Sequence, residues 1–176
     1  MGHLTDSITK REQHMLGVAG QGTSSQRLQE LPGIAQILGL TIALETGDAP
    51  RFAEAGHFAS YCRCVNSLRQ SNGKKKGENN RKSGNKYLAW AFVEAAHFAC
   101  RYDDQCRRFY DRKKRQTNPI IATQALACKL AKAAWHVMAE DVPYDATRVF
   151  GPARKSDFGE TGREPENGSG RPSQQN

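Results

Sequence analysis

GNKYLAWAFVEAAHFACRYDDQCRRFYDRKKRQTNPIIATQALACKLAKAAWHVMAE, residues 84–140, is the stretch that decides the fold. Leu88, Ala91, Phe92, Ala95 and Ala99 recur at spacings of three and four, which predicts a helix over Lys86 to Arg101. Its small alanines permit close approach of a neighbouring helix. A second helical pattern runs from Asp103 to about Lys114, with Cys106, Phe109 and Tyr110 inward. It carries Arg107, Arg108, Arg112, Lys113, Lys114 and, just beyond, Arg115, read either as a solvated face or as a phosphate-contacting one. A third runs from about Asn118 to Ala139 on the stripe Leu126, Leu130, Ala133 and Val137, with Lys129, Lys132 and His136 on a different face.

Upstream, Ile34, Ile37, Leu38, Thr41, Ile42 and Glu45 also repeat at helical spacing, and Gly47-Asp48 closes that helix. Pro32-Gly33 separates it from a helix that Ser24 or Ser25 can cap and that ends near Leu31. Phe58, Tyr61 and Cys62 mark a further short helix, and Asp6 to Met15 another, broken by the glycines at 17, 20 and 22. Pro143 ends the helical patterns, and residues 146–176 read as a disordered tail. No internal repeat and no convincing alternating strand appears, so the expected fold class is all-α.

Composition narrows the partners. The chain has 176 residues, 38% hydrophobic, with a mean hydropathy of -0.72 and a formal charge of +8 from 26 Lys+Arg against 18 Asp+Glu. Such a basic balance suits a polyanion, because cationic side chains replace counterions along phosphates, although a merely basic surface has the same composition. No apolar run approaches the roughly 20 residues that span a bilayer, and residues 1–9 lack the pattern of a signal peptide. A cytoplasmic protein with no membrane association is expected. The five cysteines, Cys62, Cys64, Cys100, Cys106 and Cys128, form no paired CxxC and read as free thiols; convergence of the first four on zinc is the alternative. His57, His97 and His136 have no ligand spacing, and His97 reads as packed or hydrogen-bonded. Trp90 and Trp135 read as core or inter-helix contacts, as does Tyr87, whose other use would be stacking on a base.

Two segments carry candidate chemistry. Leu31-Pro32-Gly33-Ile34, between two apolar-striped helices, resembles the hairpin of a helix-hairpin-helix module. Pro32 stops one helix, Gly33 permits a tight turn, and the next helix's first amides can receive a phosphate. Ala35 stands where the usual pattern has a second glycine, and a plain turn between packed helices is the competing reading. The second segment, Cys64 to Gly84, holds Arg69, Lys74, Lys75, Lys76, Arg81 and Lys82 among Gly73, Gly77 and Gly84, with Glu78 its only acid. It reads as an ordered, clamp-like basic loop or hairpin, or as a disordered linker. Ser71 lies within it, and flexible neighbours could bring its hydroxyl to a phosphate beside the Lys74–Lys76 ammonium groups. A serine needs a base or a metal to become a nucleophile, and no local His or Asp supplies one. On its chemistry alone Ser71 reads as a solvated loop residue.

The chain resembles the C-terminal domain of the insertion-sequence 110/116/902 transposases. The resemblance runs through LPGI at 31–34, LETGDAPRF at 44–52, FASYCRCV at 58–65, SNGKKKGENN at 71–80, GNKYLAWAFVEAAHFA at 84–99, RRFYDRKK at 107–114, ALACKLAKAAWHVM at 125–138 and VPYD at 142–145. It implies a DNA recombinase in which the serine matching Ser71 attacks a DNA phosphate and becomes joined to it. It further implies DNA contacts through Pro32, Gly33, Ile34, Arg69, Gly73, Lys74, Lys75, Lys76, Arg81, Lys82 and Lys86. Mg²⁺, held by carboxylates of an upstream ribonuclease-H-like domain, a guide RNA, and assembly into dimers and tetramers are implied as well. The 27 residues before Leu28 leave no room for that upstream domain, and Asp6 and Glu12 do not make a carboxylate tetrad. The expectation is a truncated product: residues 1–27 as a helical remnant or linker, 28–145 as the transposase domain, no cofactor or metal site of its own, and no cleavage by the isolated chain.

Overall fold

The computed structural model describes residues 23–65, 68–72, 74–78 and 83–151, together with Asp6, Thr9, Lys10 and Gln13, which are helical and fall within the helix expected over Asp6 to Met15. Seven helices are described between Thr23 and Phe150: α1 (Thr23–Leu28), α2 (Gln36–Thr46), α3 (Ala55–Tyr61), α4 (Lys86–Tyr102), α5 (Asp104–Gln116), α6 (Pro119–Ala139) and α7 (Ala146–Phe150). A 3-10 turn, Ala49–Arg51, precedes α3, and two strands, β1 (Leu68–Ser71) and β2 (Lys74–Glu78), precede α4.

Helix α6 is the axis of the core, because α1, α3, α4 and α5 all pack against it. Asn118 starts it by accepting from the Ile121 amide at 2.8 Å, with Pro119 in the first turn, where an amide would have no partner. Surrounded on most sides, α6 buries far more than one stripe: Ala122, Leu126, Ala127, Leu130, Ala131, Ala133, Ala134, Trp135 and Val137 are all buried. Helix α4 buries Leu88, Ala91, Phe92, Ala95, Ala96 and Ala99, the expected stripe with one residue added. Asp103 ends α4 and caps α5, accepting from the Cys106 amide at 2.7 Å. Phe58 meets Phe92 edge-on with ring centroids 6.0 Å apart, and Phe52 meets Phe58 at 5.3 Å, tying α3 and the loop before it to α4. Burial of the large apolar side chains in this cluster drives the association, at roughly 25 cal/mol for each Å² of apolar surface removed from water.

The helical class agrees with the sequence, with one local departure. The basic segment takes the hairpin form among its readings, a two-stranded antiparallel ribbon, although no alternating strand pattern marked it. Residues 146–150, expected to begin the disordered tail, form α7, and Phe150 packs on Phe109 of α5 at 5.7 Å between centroids. Asp145 caps this turn, accepting from the Thr147 amide at 2.8 Å. The remaining tail, 152–176, lies outside the described residues. Among the described residues no helix is long and apolar enough to cross a membrane.

Candidate nucleic-acid interface

The turn between α1 and α2 is built into the core. Leu31 and Ile34 are buried, Pro32 and Gly33 half-buried, and the Ile34 amide donates to the Leu31 carbonyl at 3.2 Å. Gly33 has φ +80°, and a Cβ there would lie 2.1 Å from the Ala95 carbonyl oxygen and 2.6 Å from the Ala99 nitrogen of α4. Glycine is therefore required by close backbone approach to α4. On the solvent side, Ala35 and Gln36 are exposed, and Ala35 caps α2 without any side-chain acceptor. The first-turn amides of α2 thus have no side-chain cap.

The residues flanking the basic segment are tied to the helices and to each other. Arg63 donates through Nη2 and Nε to the Gly84 carbonyl, at 2.8 and 3.2 Å, and through Nε to that of Ser83 at 3.1 Å. The Gln124 amide of α6 donates to the Arg63 carbonyl at 2.9 Å, and the Asn85 backbone amide to that of Tyr61 at 2.8 Å. Gly84, at φ +89°, sits so close to α3 that a Cβ would come 2.4 Å from the Tyr61 carbonyl oxygen. Asn85 then starts α4 by accepting from the Tyr87 and Leu88 amides, while its own amide donates to Glu45 of α2 at 2.6 Å.

Within the ribbon, Leu68 pairs with Glu78, Arg69 with Gly77, Gln70 with Lys75, and Ser71 with Lys74. The register shift between Arg69 and Gln70 leaves Lys76 as the extra residue of a bulge. Asn72 follows Ser71 with φ +55°. The Asn72-Gly73 dipeptide is the local signal that marks this hairpin in the sequence, since a two-residue turn needs positive φ. Ser71 and Lys74 are therefore the last backbone pair before the turn. Gly73, Arg81 and Lys82 lie outside the described residues. Lys86 is exposed at the start of α4, with its Nζ 4.9 Å from the Tyr87 ring centroid.

Gly33 lies against Ala95 and Ala99, whereas Gly84 and Asn85, which follow the basic segment, lie at the start of α4, roughly 15–20 Å along the helix at 1.5 Å of rise per residue. The exposed aromatics of α4 were not marked by the sequence. Tyr87 and Trp90, read as core, are 53% and 51% exposed on α4, because they fall outside the angular sector of the alanine stripe. His97 is exposed as well. Trp135 is buried as expected. On α5, Arg108, Asp111, Arg112, Arg115 and Gln116 border one groove.

The thiols take no part in this surface. All five cysteines are free, and Cys62, Cys64 and Cys106 are buried. Burial and the nearby Cys128 push the Cys64 thiol up to about 12, and burial raises Cys62 and Cys106 as well. Burial thus favours the protonated form of these thiols. Among the described residues no group of three His, Cys, Asp or Glu is arranged to hold a metal ion.

Comparison with known proteins adds one finding: residues 25–111 match the family model described as Transposase IS116/IS110/IS902 family. The match spans the turn, the ribbon and most of α5. A search of curated proteins returned no match.

Proposed function

Because the chain belongs, through residues 25–111, to the IS116/IS110/IS902 transposase family, we propose that it is the DNA-contacting domain of such an enzyme and carries its serine nucleophile, Ser71. The observation that carries this reading is the ribbon: the basic segment is a paired hairpin, with Ser71 and Lys74 as the pair next to the turn, and the flanking Arg63 and Asn85 are bonded to α6 and α3. A hydroxyl presented on a paired strand loses less freedom on meeting a phosphate than one on an open loop. In the proposed step the Ser71 oxygen attacks a DNA phosphorus. The bond from phosphorus to the departing sugar oxygen breaks, and the serine proton passes to a base from outside this chain. Arg69, two residues before Ser71, and Lys74, Lys75 and Lys76, three to five residues after it, are the nearest cations in sequence to offset the charge that develops on the phosphoryl oxygens.

Arg69, Gly73, Arg81, Lys82 and Lys86 would extend the contact along the DNA backbone. The turn at Pro32, Gly33 and Ile34 would contribute through the uncapped amides of α2, as a helix-hairpin-helix does; the Ile34 side chain itself is buried. The described residues do not assemble a Mg²⁺ site. The metal's carboxylates would come from a ribonuclease-H-like domain, and a guide RNA and further copies of the chain are proposed partners on the same family grounds.

The test mixes this chain with element-end DNA and a full-length transposase whose own nucleophilic serine is alanine but whose carboxylates are intact. A covalent protein–DNA adduct that resists denaturation, and that Ser71→Ala abolishes, is the expected result; no adduct would overturn the nucleophile assignment. Binding is read separately. Lys74, Lys75 and Lys76 changed together to Ala should flatten the log-affinity against log-salt slope by about 2–3, at roughly 0.9 per phosphate neutralised. DNA binding without an adduct would leave a non-catalytic nucleic-acid-binding module.

A further inference from the structure

A second cleft is lined by residues beyond the family match. Lys129, Lys132, Ala133, His136 and Val137 of α6 face Val142, Pro143, Tyr144 and Asp145 and, from α7, Arg148 and Val149, across a cavity of about 320 Å³. Its chemistry is divided. Ala133, Val137, Val142, Pro143 and Val149 supply apolar lining, and Lys132 and Arg148, both exposed, bring cations to the same opening.

The cleft is built by Lys129. Its ammonium donates to the Val149 carbonyl and lies 5.3 and 5.5 Å from the ring centroids of Phe109 and Phe150, which fastens α7 over α5 and α6. Burial lowers the Lys129 pKa, and nearby Arg112 and Lys132 lower it further, so positive charge is crowded here. The one acid on the lining, Asp145, already accepts from the Thr147 amide and hydroxyl, and Glu140 stands 3.0 Å from His136 Nδ1. An anion entering beside Lys132 and Arg148 would relieve this crowding.

A volume near the lower end of small-ligand sites, roughly 300–1,000 Å³, accommodates one small group and excludes a duplex. A ligand that matches both halves of the lining is apolar and flat at one end and anionic at the other, which is the chemistry of a nucleoside phosphate. Given a nucleic-acid-handling domain, a premise that rests on the proposed function, we propose that this cleft holds one unstacked nucleotide of a single strand. Its base lies on Val137, Val142 and Pro143, and its phosphate lies between Lys132 and Arg148.

The test uses the full chain, adenosine monophosphate, inorganic phosphate, a 12-nucleotide single strand and a 20-base-pair duplex. The nucleotide should bind at least tenfold more tightly than inorganic phosphate and should compete with the single strand. Lys132→Gln with Arg148→Gln should weaken the nucleotide and the single strand about fivefold or more while duplex affinity stays within twofold. Both side chains are exposed, so an unchanged melting temperature is expected; Val142→Gln, which alters only the lining, should weaken the nucleotide alike. Phosphate binding as tightly as the nucleotide, or equal weakening of strand and duplex, reduces the cleft to a basic surface and overturns the proposal. A nucleotide that binds without competing against the strand assigns the cleft to free nucleotide and overturns the single-strand assignment. The Lys74, Lys75 and Lys76 triple variant should leave nucleotide binding intact. If duplex binding ignores that variant, the ribbon reading fails while the cleft stands; if only the cleft variants are silent, the reverse holds.

Discussion

The turn at 31–34 and the ribbon at 68–78 look alike in one dimension: each places glycine beside residues suited to a phosphate. In three dimensions they differ in what the glycine is for. Gly33 lets the chain press onto the backbone of α4, with Ile34 beside it in the core. The ribbon's strands pair with each other, and among the described residues Arg63, Gly84 and Asn85, which flank the basic segment, are the ones tied to the helices and to each other. A turn welded to the core can offer DNA only its outward amides, whereas a ribbon held by its base can offer a whole basic segment. A glycine in a DNA-binding motif is therefore not by itself evidence of ligand contact; the atoms its missing Cβ would meet decide the matter.

Substitution breaks or sharpens this contrast. The largest effect is expected at Gly33→Ala, where a methyl would meet α4 backbone at 2.1 Å and where φ is +80°. A loss of about 3 kcal/mol or more should appear as a lower urea midpoint. A shift under about 0.5 kcal/mol, the range of ordinary surface changes, would show that the turn is not part of the core. Gly84→Ala comes next. Its methyl would meet the Tyr61 carbonyl oxygen at 2.4 Å, where φ is +89°. About 1–2 kcal/mol of strain is expected, with faster hydrogen exchange at the Asn85 amide; unchanged exchange there would mean that the clamp does not need glycine. The smallest effect on stability belongs to the Lys74, Lys75 and Lys76 triple alanine variant. It should stay within about 0.5 kcal/mol of the parent even as DNA affinity drops, and a cooperative loss of stability would show the ribbon to be part of the core.

Much of the helical frame was legible. The Leu88, Ala91, Phe92, Ala95, Ala99 stripe is the buried face of α4, and Asn118 with Pro119 opens α6 within a residue of the expected start. These features are local: a 3.6-residue period and a cap are written in adjacent residues. The ribbon was only half legible, because LRQS and KKKGE lack an alternating apolar face, and their one strong signal is the Asn72-Gly73 turn. Helix α7 was missed for a different reason. Five residues carry too little periodicity to register, and this turn is held by Lys129, some twenty residues upstream, and by Phe109 on another helix.

The candidate site divides in the same way. Ser71, Lys74, Lys75 and Lys76 were singled out by composition and by resemblance; that Ser71 and Lys74 are backbone partners follows from the ribbon's register. Tyr87 and Trp90 were read inward because large aromatics bury well, yet they stand exposed.

What the sequence alone determined is the identity of the longer helices, the basic character of the segment around Ser71 and the family that its motifs resemble, since each is carried by residues within a few positions of one another. Tertiary structure alone decided that Gly33 serves α4, that Gly84 and Arg63 fasten the ribbon, and that Lys132 and Arg148 share one cleft. The physical reason is that backbone clearance, burial and convergence of charge depend on which surfaces meet, and those surfaces come from parts of the chain that periodicity and composition never compare.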